Sequence, residues 1–145
     1  MIIYNDPCVL VIIRNACMED IIWLKERDKH IDESTLKDKI NHFEVYIAEI
    51  DENKVGWLRY NLFWDNVPFL NMICVLEKYH RIGIGTLLIN YWENEMKTNC
   101  YKSVMTSTQS NEEAQHFFRK MRYKEIGGFK YFEDPFEIIL LKVLE

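Results

Sequence analysis

The four cysteines of this chain, Cys8, Cys17, Cys74 and Cys100, show no Cys-x-x-Cys spacing, and His30, His42, His80 and His116 stand apart in sequence. Neither a zinc-site pattern nor a disulfide scaffold is indicated, so reduced thiols, no metal and a cytoplasmic location are expected. No apolar stretch reaches the roughly 18 residues of a membrane-spanning helix, and the early apolar run from Cys8 to Ile13 is too short and lacks a basic flank for a secretion signal. No run of Lys or Arg interleaves with aromatics, and the net charge is -5, which disfavours nucleic acid as a partner. Repeats, low-complexity tracts and linkers are also missing. What is present is a chain of 145 residues, 48% of them hydrophobic, enough for one domain over residues 1–145 with a real core.

Periodicity predicts a strand over residues 9–13, a helix over about 19–28 and a second helix after Ser34. Residues 45–50 and 55–63 flank Asp51, Glu52, Asn53 and Lys54 as an antiparallel hairpin. Trp57, Tyr60, Phe63, Trp64 and Phe69 crowd around a loop at Asp65, Asn66 and Pro68. An apolar strand over 70–75, a helix over 86–96 and a strand over 102–106 follow. Ser110 and Glu113 have capping-box spacing ahead of a helix whose apolar face is Ala114, Phe117, Phe118 and Met121. A closing hairpin pairs residues 123–131 with 136–143, and Gly127 and Gly128 bend its first strand.

The chemistry centres on His80, Arg81, Ile82, Gly83, Ile84 and Gly85, a strand-to-helix turn with two glycines. Glycine lets backbone amides approach a ligand closely, and the following helix adds unpaired N–H groups and a positive dipole end, so a polyanion has somewhere to bind. A dinucleotide fingerprint fails because position 88 is Leu88 rather than glycine, and a P-loop fails because Gly85 is followed by Thr86 and Leu87. A bare structural turn also remains open at this point.

Strand, glycine turn, helix, strand and a helix opened at Asn111 together resemble the GNAT family of acyl-CoA-dependent N-acetyltransferases. The resemblance implies a single α/β domain, a mixed and mostly antiparallel twisted sheet flanked by helices in the order βααβββαβαββ. It implies acetyl-CoA as cosubstrate, a primary amine of a small molecule or peptide as acceptor, and leaves homodimerisation open. The cofactor would be held by backbone amides of Arg81, Ile82, Gly83, Ile84, Gly85 and Thr86, by backbone groups of Ile73 and Val75, and near its acyl end by Asn111. His80 takes the place of the family's Gln or Arg. The family pattern Asn-x-x-Ala-x-x-Phe/Leu-Tyr-x-x-x-Gly-Phe maps onto Asn111, Ala114, Phe117, Phe118, Arg122 and Tyr123. Phe118 therefore stands where the family often has the tyrosine that protonates the leaving thiolate, and on an ideal helix Tyr123 points away from it. No catalytic base declares itself; Glu49 and Asp65 are the carboxylates that could border an acceptor cleft. A non-catalytic CoA-binding or interaction domain on the same fold is the alternative, and an unrelated α/β domain a third reading.

Overall fold

The computed structural model describes residues 2–3 and 9–145, so Cys8 lies outside the described residues. Among the described residues eight strands and four α-helices occur in the order β1 (Ile2–Ile3), β2 (Leu10–Asn15), α1 (Ile21–Arg27), α2 (Glu33–Asn41), β3 (Val45–Ile50), β4 (Asn53–Phe63), β5 (Val67–Val75), α3 (Ile84–Thr98), β6 (Ser103–Gln109), α4 (Ala114–Lys120), β7 (Lys124–Phe129) and β8 (Glu137–Val143). Apart from β1, this is the expected βααβββαβαββ order. None of these helices is long and apolar enough to cross a membrane.

The chain divides into two compact units, residues 1–60 with 72–91 and residues 61–71 with 92–145. In the first, β1, β2, β3 and β4 pair antiparallel in that order, with a register shift at Ala48/Glu49. Leu24 of α1 and Leu36 and Ile40 of α2 pack with Val45, Ile47 and Trp57 into one core cluster, against which Met72, Cys74 and Leu76 lie. Gly56 is required here: a Cβ at that position would sit 2.8 Å from the Cys74 carbonyl oxygen. In the second unit β5 pairs parallel with β6 at Phe69–Met105 and Leu70–Thr106, and the Thr106 hydroxyl donates to the Leu70 carbonyl at 3.1 Å. The antiparallel pairs β6–β8 and β8–β7 complete it. The β7 register shifts between Glu125 and Gly127, the bend expected of the glycine pair.

Several boundaries differ from the sequence expectations, each for a local reason. The first helix is split, with a 3₁₀ turn at Met18–Asp20 before α1. Asp32, rather than Ser34, caps α2, its carboxylate accepting from the Thr35 N–H at 2.8 Å. Pro68 is a buried residue of β5, leaving the β4–β5 turn to Trp64, Asp65 and Asn66.

The Ser110–Glu113 capping box does not form. α4 opens at Ala114, with Glu113 already helical at φ -67° and ψ -22° and no side-chain cap. The Gln115 amide instead donates to the carbonyls of Ser110 and Glu112, at 2.8 and 3.1 Å.

Buried charge in the first unit is paired. Arg59 donates to Asp28 through Nε at 2.7 Å and Nη2 at 3.3 Å, and the Trp57 indole N–H adds a third bond at 3.2 Å. Burial pushes the Asp28 carboxyl up, but the hydrogen bonds and charge of Arg59 more than offset it and hold it below the usual carboxylate range.

Candidate functional site

β5 ends at Val75, and a 3₁₀ segment at Glu77–Tyr79 leads to His80. Arg81 then takes a left-handed backbone with φ 64°, and Gly83 another with φ 89°, separated by Ile82. Alternation of this kind makes successive N–H groups converge into an anion-binding concavity. Among the described residues the N–H groups of Arg81, Ile82, Gly83, Ile84, Gly85 and Thr86 donate no hydrogen bond. The first in use is that of Leu87, to the Gly83 carbonyl at 3.0 Å. The helix begins at Ile84 rather than at residue 86, so Gly85 and Thr86 lie inside the first turn of α3 and only Gly83 needs glycine's backbone freedom. Below the turn, Ile84, Leu88, Ile89, Trp92 and Met96 form the buried stripe that seats this helix.

His80 has a use that its place in the motif did not suggest. Its Nε2 lies 2.6 Å from the Val75 carbonyl oxygen, which can only accept, so Nε2 carries the hydrogen and ties the turn to the strand end. Val75, like Ile73, is half-buried, and its carbonyl has one lone pair engaged in this way. Arg81 is exposed. Cys74, one residue before the strand end, is a half-buried free cysteine; burial, and then the charge of Asp28, push its thiol up, so it stays protonated and inert.

The two base candidates lie in different settings. Glu49 Oε1 accepts from Arg14 Nε at 2.9 Å and Nη2 at 2.6 Å. The same guanidinium grips both oxygens of Asp20, at 2.7 and 2.9 Å, and Lys54 Nζ reaches Asp20 at 2.7 Å. Glu49 is thus one corner of a four-residue charge network. Asp65 is exposed in the β4–β5 turn, with φ 57°.

In the second unit Asn111 is exposed just ahead of α4, and Phe118 is buried on that helix at 3% exposure. Tyr123 does not point away from Phe118, because α4 ends first. The Tyr123 N–H bonds back to the Phe118 carbonyl and the Arg122 N–H to that of Arg119, both at 3.0 Å, with Arg122 left-handed at φ 72°. This is a Schellman ending, and the ring contact that accompanies it is Phe118 against Tyr123, edge-on at 5.3 Å between centroids. The Tyr123 hydroxyl donates to Glu93 at 2.7 Å. Burial, then the Glu93 charge, raise that phenol far above its usual value, so it is no proton donor for a leaving group.

The chain matches the model of the acetyltransferase (GNAT) family over residues 13–123. It is 32% identical over 99 residues to an uncharacterized N-acetyltransferase of Methanocaldococcus jannaschii, covering 66% of this chain and 63% of that protein. The chain thus spans somewhat less than two thirds of that relative. Among solved structures it is similar to Ard1 from Thermoplasma volcanium, with a TM-score of 0.81 at 14% identity over 93% of this chain and 98% of that one. Arabidopsis thaliana Naa50, solved with the bisubstrate analogue CoA-Ac-MVNAL, gives a TM-score of 0.75 at 18% identity over 91% and 97%. At those identities the two structures establish the fold alone. With its glycine turn and its Asn111 helix both inside the matched segment, the chain belongs to the acetyltransferase (GNAT) family.

Proposed function

We propose that the chain is an N-acetyltransferase of the cytoplasm, residues 1–145 forming one such domain, which moves the acetyl group of acetyl-CoA to a primary amine. The observation that carries this reading is the run of six amide N–H groups from Arg81 to Thr86 that have no partner among the described residues, at the head of a 15-residue helix. A diphosphate suits them, since hydrogen bonds to charged groups contribute about 1.5–3 kcal/mol each and the helix dipole adds to them. Ile73 and Val75 would offer backbone groups to the pantetheine arm as a neighbouring strand does, and Asn111 would border the acyl end. An amine acceptor is supported by the structural relative Naa50, solved in complex with the bisubstrate analogue CoA-Ac-MVNAL.

The reaction needs the free amine, a minority species for a group of pKa about 10.4. Its nitrogen attacks the thioester carbon to form the C–N bond, the C–S bond breaks, the nitrogen's proton passes to solvent water, and CoA departs as thiolate. A thiol of pKa about 8.5 is a tolerable leaving group, so the missing phenol at Phe118 slows turnover by about 10²- to 10⁴-fold rather than ending it.

Phe118, together with the engagement of Glu49 by Arg14, supports a second reading, a CoA-binding domain without chemistry. Calorimetric titration with acetyl-CoA, followed by a consumption screen across an amine library, tests both. Binding with turnover of an amine supports the enzyme, and binding without turnover of any amine supports the second reading. No heat at millimolar acetyl-CoA would overturn both.

A further inference from the structure

We propose that the second unit carries a separate site for a small multivalent anion, in a cavity of about 760 Å³ at the last turns of α3 and the β7–β8 hairpin. The chain as a whole is acidic, with a net charge of -5, yet this cavity has Lys97, Arg122, Lys124 and Lys142 on its walls against the carboxylates of Glu93 and Glu145. Lys142 is spent on Glu93, at 2.7 Å, and the Tyr123 hydroxyl satisfies the other Glu93 oxygen. Among the described residues the side chains of Lys97, Arg122 and Lys124 make no ion pair and no hydrogen bond. These three cations outnumber the remaining wall carboxylate, Glu145, so the concavity focuses a net positive potential. Apolar side chains from β7 and β8 complete the lining, so the fitting ligand carries two or more negative charges on a compact body with a nonpolar flank.

The backbone supplies an independent observation. Arg122 holds the left-handed position after α4, where glycine is the usual and unstrained residue, and the family pattern places glycine there as well. Arg122 lines the cavity and is left-handed at φ 72°, so Arg122→Gly removes one of the cavity's cations while relieving backbone strain. Neither Arg122 nor Lys97 belongs to the turn at residues 80–86.

The test is residue-resolved amide NMR of the full chain titrated with citrate and, separately, with inorganic phosphate. Saturable shifts at Lys97, Arg122, Lys124 and Lys142 are expected, with citrate alone indicating a polycarboxylate and phosphate alone a phosphate ester. Arg122→Gly should weaken binding at least ten-fold while raising the melting temperature, and Lys97→Glu should weaken it without relieving any strain. Shifts absent with both anions at millimolar concentration, or an affinity unchanged in both variants, would overturn the site.

Discussion

Gly83→Ala tests whether main-chain geometry, rather than side-chain charge, holds the cofactor. Gly83 sits at φ 89°, and an L side chain in left-handed space costs about 1–2 kcal/mol. If the turn keeps its shape, the folded state bears that strain, and at roughly 2–4 °C per kcal/mol the melting temperature falls by about 2–8 °C. If the turn relaxes in the free protein, acetyl-CoA must restore it on binding. At about 1.4 kcal/mol per tenfold, the dissociation constant then rises about five- to thirtyfold. Arg81→Gly is the mirror experiment, because Arg81 is left-handed at φ 64° with an exposed side chain. Glycine relieves the strain, so the melting temperature should rise, while loss of an exposed charge worth at most about 1 kcal/mol changes affinity no more than about fivefold. Calorimetry and thermal melts on both variants supply the readouts. The reasoning fails if Gly83→Ala binds and melts as the parent does, or if Arg81→Gly weakens binding more than Gly83→Ala.

Three further outcomes follow from other parts of the molecule. Phe118→Tyr adds a hydroxyl to a ring packed against Phe117 and Tyr123, so stability should fall by about 1–3 kcal/mol. Where thiolate departure limits turnover, kcat should nevertheless rise, up to about 10²- to 10⁴-fold, and an unchanged kcat would remove departure as the slow step. Arg59→Met leaves Asp28 buried and unpaired and should cost about 3–5 kcal/mol by urea unfolding, part of it recovered in the double variant with Asp28→Asn; a loss under about 1 kcal/mol would contradict the pairing argument. Asp20 and Asp28 both titrate below the usual range, Asp20 because burial is outweighed by its bonds to Arg14 and Lys54. Their stabilisation is therefore complete above the ordinary Asp value of about 3.9 and is lost as pH falls through the lowered values, so melts from neutral to acid pH should stay level and then drop. A melting temperature that declines already between pH 7 and 5 would point to other groups.

The order of strands and helices was readable in the chain because it depends on local pattern: a short continuous apolar run in β3, and the stripe Ile84, Leu88, Ile89, Trp92 in α3. The glycine turn was readable for a similar reason, since glycine at position 83 reports a backbone dihedral. Helix ends were less so. Several groups compete for hydrogen-bond partners within one turn: Asp32 accepts from the Thr35 N–H, and the Gln115 amide donates to the carbonyls of Ser110 and Glu112 where the Ser110–Glu113 box was expected.

Contacts across long loops left no mark in the linear order. Asp28 meets Arg59 31 residues away, and Glu93 meets Lys142 across 49. Such pairings depend on strand register and helix packing, which a residue's neighbours in sequence do not specify. The same holds for Arg122, whose left-handed backbone and place on a cavity wall arise because α4 stops where Tyr123 folds onto Phe118.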